Sequence, residues 1–161
     1  MAAEHLGKEA LESWIKAANI GCADAMYNIA LCYSNGTFVK KNLSNAILLW
    51  KRASKLGHAL SLYQLAVCYI RGIGTEKDRE YGISLMKQSA DMGCSRAEYF
   101  MAIKLLRDGE RSSSIEYLEN AIKHQQFRSL IERWLNNKSL PHDIRNIVSN
   151  SLDKYNSKHQ I

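Results

Sequence analysis

Four cysteines and five histidines are the residues of this chain that could carry covalent or metal chemistry: Cys22, Cys32, Cys68 and Cys94, with His5, His58, His124, His142 and His159. A thiolate beside an imidazole is a nucleophile, and clustered Cys and His ligands hold zinc. The spacing supports neither. There is no CxxC, and the histidines are scattered. His58 lies 36 residues from both Cys22 and Cys94. Neighbouring helical layers sit about 10 Å apart, too far for ligands that must each reach one zinc at about 2.3 Å. Cys32 falls mid-helix and is duplicated at Cys68, as a structural residue would be. No GxxxxGK followed by Ser or Thr, no GxSxG and no HExxH occurs. Gly72-Ile73-Gly74 sits between helices rather than after a strand, so it reads as a turn and not a phosphate cradle. These residues predict no enzyme, no cofactor and no metal.

The elements that hold these side chains repeat. Trp50, Ala53, Gly57, Tyr63, Ala66, Cys68, Tyr69 and Gly72 have counterparts 36 residues earlier in Trp14, Ala17, Gly21, Tyr27, Ala30, Cys32, Tyr33 and Gly36. Shifted forward by the same period, Trp50, Ser54, Gly57, Tyr63 and Ala66 meet Met86, Ala90, Gly93, Tyr99 and Ala102. A fixed period of this length is the mark of a solenoid. Within each period, apolar residues recur at i, i+4 and i+7, the spacing of one helix face. Leu6, Leu11, Trp14 and Ala18 make the first such stripe.

This pattern predicts an all-α, right-handed α/α superhelix (a solenoid) of antiparallel helix pairs with about nine helices. They are placed at 5–19, 25–34, 45–56, 59–71, 79–92, 96–107, 112–124, 127–135 and from Pro141 to about Tyr155, with 156–161 fraying. Gly21, Gly57 and Gly93 close helices at left-handed positions. Asp24, Asn42 or Ser44, Asp78, Ser95 and Ser139 are the expected N-caps. Residues 1–161 read as one domain, with a partial unit at 5–21, units at 22–57, 58–93 and 94–124, and degenerate capping helices at 125–161.

Composition bounds the partners. The chain is 46% hydrophobic and 24% charged, with a net charge of +6. Residues 1–80 and 81–161 each carry +3, so there is no basic arm, and a nucleic-acid partner is disfavoured. No window of about 18 apolar residues exists, so no membrane span is expected. The N-terminus has no secretory pattern. With Met1 as the native start, the protein is expected to be cytoplasmic, with reduced, unpaired thiols. Sequon triplets at Asn35, Asn42 and Asn137 then carry no meaning.

The units resemble the Sel-1-like repeat, a relative of the tetratricopeptide repeat. The residues that carry the resemblance are Gly21, Ala23, Ala25, Tyr27, Ala30, Tyr33 and Gly36 in one unit, and Gly57, Ala59, Tyr63, Leu65, Ala66, Tyr69, Gly72, Gly74 and Asp78 in the next. Gly93, Ala97, Tyr99 and Ala102 continue it. Phe38 stands where the loop glycine is usual, so a differently bent loop is expected there.

The resemblance implies a non-catalytic adaptor or scaffold that binds a segment of another protein on its concave face. Helical spacing places Asn28, Cys32, Asn35, Gln64, Cys68, Arg71, Phe100, Lys104 and Arg107 on that face. Amides giving way to cations suit an acidic peptide segment. The alternative function is an RNA-binding helical repeat, with Asn28, Gln64 and Phe100 at equivalent positions. Self-association through the N-terminal helix stays open, as does whether the chain is a fragment.

Overall fold

The computed structural model describes residues 2–136 and 141–159, with side chains from Gly7 onward. Among these residues there are nine α-helices and no strand. They are α1 (Ala2–Asn19), α2 (Ala23–Asn35), α3 (Leu43–Lys55), α4 (Ala59–Arg71), α5 (Arg79–Asp91), α6 (Ser95–Asp108), α7 (Arg111–Ile122), α8 (Gln125–Leu135) and α9 (His142–His159). The helices pack in sequential pairs, α2 on α3, α3 on α4 and α6 on α7. Two compact units result, residues 1–88 and 89–161.

The helix ends follow from the glycines. Gly21, Gly57 and Gly93 are left-handed, with φ of 93°, 82° and 80°. In each case the next amide turns back on the finished helix: Cys22 N–H donates to Ala17 O, His58 to Ala53 O and Cys94 to Ser89 O, at 3.0, 3.1 and 3.0 Å. This closure starts the following helix at once. The N-cap positions therefore fall on Cys22, His58 and Cys94. That corrects the expected caps at Asp24 and Ser95, which lie inside α2 and α6. Asn42 and Asp78 do cap, accepting from Asn45 N and Tyr81 N at 3.0 and 2.9 Å. Ser139 and the turn at Asn137 and Lys138 lie outside the described residues, as does the Leu6 side chain.

In the first unit, Leu11, Ala18, Ala25, Met26, Ile29, Cys32 and Ala53 form one buried cluster, flanked by half-buried Trp14. Trp50 is 3% exposed. Gly82 makes a close crossing, since a Cβ there would stand 2.9 Å from the backbone nitrogen of Ile70. In the second unit, Leu106, Leu118, Ala121, Ile122, Phe127, Ile131 and Val148 centre the core. Helix α9 continues past the expected end at Tyr155. His159 stacks on Tyr155 at 4.1 Å, its Nδ1 lies 2.8 Å from the Tyr155 carbonyl, and Lys158 and His159 complement the helix C-terminus.

The loop carrying Phe38 is not bent differently. Phe38 takes a φ of 65°, matching 69° at the equivalent Gly74, and Gly36 and Gly72 are alike at 78° and 72°. Asn42 N–H donates to Tyr33 O and Asp78 N–H to Tyr69 O, at 2.8 and 3.0 Å. Phenylalanine is accepted because its ring lies on Gly7, where a Cβ would meet Cε1 and Cζ at 2.1 and 2.2 Å. In the next unit the bulk is exchanged: Leu43 stands on the helix, and a Cβ on Gly74 would meet it at 2.9 Å.

Candidate partner-binding surface

The N-terminal ends of α2 and α4 are joined by His58. Its Nδ1 accepts from the Ser61 backbone N–H at 3.2 Å and lies 2.8 Å from Ser61 Oγ. Its Nε2 is 3.0 Å from Asp24 Oδ1, and its ring lies 4.9 Å from that of Tyr27. With Nδ1 accepting, Nε2 carries the hydrogen given to Asp24. Ser, His and Asp thus form a hydrogen-bonded chain like a hydrolase triad. Ser61 is completely buried, however, so no substrate carbonyl can reach its hydroxyl. The chain caps α4 and fastens it to α2.

The cysteines are free thiols. Burial pushes the Cys32 and Cys68 thiols up, away from the thiolate form a nucleophile needs. Among the described residues no group of three His, Cys, Asp or Glu side chains could hold a metal ion.

On α2 and α4 the sequence-predicted contact residues divide. Asn28 and Gln64 are half-buried, and Asn35 and Arg71 are exposed. Cys32 and Cys68 are 6% and 5% exposed. They are wall, not contact, because helices of a solenoid are covered on more than one side and a single spacing rule cannot tell the faces apart. In the second unit Phe100 is half-buried, Lys104 is half-buried and paired with Asp108, and Arg107 is exposed.

One signal was missed by counting charge in halves. Between Asp24 and Glu76 the sequence contains no acidic residue but six cations: Lys40, Lys41, Lys51, Arg52, Lys55 and Arg71. All six are exposed. None pairs with a carboxylate among the described residues. Lys51, Arg52 and Lys55 share a face of α3 with Leu48, which is 58% exposed, and Lys51 lies 5.8 Å from the Tyr69 ring centre.

The second unit holds a different set. Glu98 occupies the repeat position of Met26 and Leu62 and is 6% exposed. Burial pushes its carboxyl up, while the charges of His124 and Lys123 pull it down. The Tyr117 hydroxyl donates to Asp91. Burial, that bond and nearby Glu116 and Glu98 push the phenol up. A phenol held neutral by a carboxylate is a poor base, so this group stabilises and does not react.

Paired helices at a constant period define a tandem α-helical repeat protein. Residues 23–58 and 59–94 each match the Sel1 repeat, so this part of the chain is built of Sel1 repeats. No curated protein matches it. Its fold matches the crystal structure of a Sel1 repeat protein from Oxalobacter formigenes, with a TM-score of 0.68 and 18% identity over 92% of this chain and 64% of that one. It also matches c5321, a protective antigen present in uropathogenic Escherichia coli strains displaying an SLR fold, with a TM-score of 0.67 and 20% identity over 90% of this chain. The chain spans 64% and 33% of the lengths of these two proteins. Sel1 repeats are typically non-catalytic and mediate protein interactions. Among the described residues no helix is long and apolar enough to cross a membrane.

Proposed function

We propose that the chain is an adaptor that holds a segment of another protein, and that in its first unit this segment is acidic. The observation that carries the proposal is the acid-free stretch between Asp24 and Glu76, with its six exposed cations. Exposed charges act over about 8 Å at physiological ionic strength, so four on α3 and α4 with two in the loop before α3 raise the encounter rate with an acidic partner. Asn28, Asn35 and Gln64 supply amides for the partner's backbone, and Arg71 a guanidinium for its carboxylates. Phe100 and Arg107 offer an aromatic and a cation in the second unit, and Lys104 a cation shared with Asp108. Free thiols suit a reducing compartment, and the cytoplasm is the proposed location.

The test is capture on immobilised full-length chain, compared with Arg52→Glu, Lys55→Glu, Arg71→Glu triple substitution. Proteins lost from the variant should be acidic and should elute from the native chain with salt. Equal capture by both refutes the proposal. The same cations suit RNA phosphates. Salt-sensitive retention of RNA, with no acidic protein lost from the variant, would favour the RNA-binding reading instead.

A further inference from the structure

The second unit contains an open cavity of about 150 Å³ between α7 and α9. Ser151 lines it and is 6% exposed. Serines within helices ordinarily bond back to a carbonyl three or four residues earlier, as Ser54, Ser84, Ser114 and Ser129 do here. The Ser151 hydroxyl has no partner among the described residues. Although the residue is buried, its hydroxyl opens on the cavity as an available donor.

The walls are cationic. Lys123, Lys154 and Lys158 all line the cavity. Glu119 accepts from Lys154 at 2.6 Å and neutralises it. Lys123 donates to the uncharged Asn120 Oδ1 at 2.7 Å, and Lys158 has no ion-pair partner among the described residues. Lys158 is thus left uncompensated, and Lys123 feels only the field of the buried Glu98 carboxyl. Tyr155 and His159 close one side as a stacked pair, with the Arg128 guanidinium 4.7 Å from the Tyr155 ring centre. The C-terminal ends of α7 and α9 oppose an anion, but each carries only about half a negative charge, screened by solvent.

We infer that this cavity binds a phosphate monoester. The ammonium groups of Lys123 and Lys158 attract a dianion, and the Ser151 hydroxyl supplies a directed donor to one of its several oxygens. The volume is that of about five waters and falls below the roughly 300 Å³ of the smallest drug-sized pockets. It holds a phosphate group, with the rest of the ligand lying in solvent. The site is separate from the surface proposed for the protein partner, and either can fail without the other.

The test is nuclear magnetic resonance titration of the full chain at low ionic strength with phosphoserine and with succinate, a carboxylate dianion of similar size. Phosphoserine should saturate, with the largest amide shifts around Ser151 and Tyr155. Ser151→Ala should weaken it measurably, and Lys123→Gln with Lys158→Gln by about tenfold. The single Lys158→Glu variant serves as a second charge test. Far-ultraviolet dichroism and melting of every variant should match the native chain. Shifts that grow linearly without saturation, shifts centred on residues 25–75, equal binding by folded variants, or succinate binding as tightly as phosphoserine would each overturn the assignment.

Discussion

Substituting Gly7 by alanine should stabilise in one background and not in the other. Alone, a Cβ at Gly7 would stand 2.1 Å from the Phe38 ring, so the ring must leave. Phe38 is 40% exposed, so its ring contributes about 1–2 kcal/mol of the roughly 1.5–3 kcal/mol expected for full burial. The left-handed backbone at Phe38 opposes this by about 1–2 kcal/mol. Displacing the ring loses the contact and keeps the strain, and outweighs the gain of about 1 kcal/mol from removing a glycine inside a helix. Gly7→Ala should therefore be neutral or destabilising by about 1 kcal/mol. In a Phe38→Gly chain neither strain nor ring remains, and Gly7→Ala should stabilise by about 1 kcal/mol. The coupling of about 1–2 kcal/mol is measurable in urea melts followed by circular dichroism. Equal stabilisation in both backgrounds would refute the contact between ring and glycine.

Trp50 is 3% exposed, and its indole N–H is buried without a partner. Trp50→Ala should cost about 3–5 kcal/mol, while Trp50→Phe, which removes the same donor but leaves a smaller cavity, should cost clearly less; thermal melts of both check this. Glu98 is raised above the ordinary glutamate value of 4.5 chiefly by burial. Its ionisation is harder in the folded than in the unfolded chain, so stability falls as pH rises from the ordinary value through the raised one. Glu98→Gln should flatten that slope and be the more stable form at pH 7 but not at pH 4; parallel curves from pH-dependent urea melts would contradict this. His58→Ala removes the cap on α4 and the tie to Asp24, and should cost about 1 kcal/mol. Adding Asp24→Ala to it should cost little more, as a double-mutant cycle would show.

The helices were legible because glycine, alanine and tryptophan recur every 36 residues, and a period survives local noise. Caps were misplaced at Asp24 and Ser95 because the closing turns at Gly21 and Gly93 fix the helix start by geometry. Cysteine then occupies a position that residue preference would give to its neighbour. The loop at Phe38 was misjudged because its permission comes from Gly7, 31 residues away in α1. The capping role of His58 was not legible, since nothing in one sequence ties it to Asp24 across two helices. The cationic stretch was visible all along, but dividing the chain at residue 80 spread it into the average.

The exchange of bulk between Gly7 with Phe38 and Leu43 with Gly74 makes these repeats members of an ordered set. A fresh duplication that slid Leu43 beneath Phe38 would press two large side chains into one space. A deletion that brought Gly7 beneath Gly74 would leave a hole. Unit number in this lineage can therefore change only at breakpoints that carry each loop along with the helix it rests on.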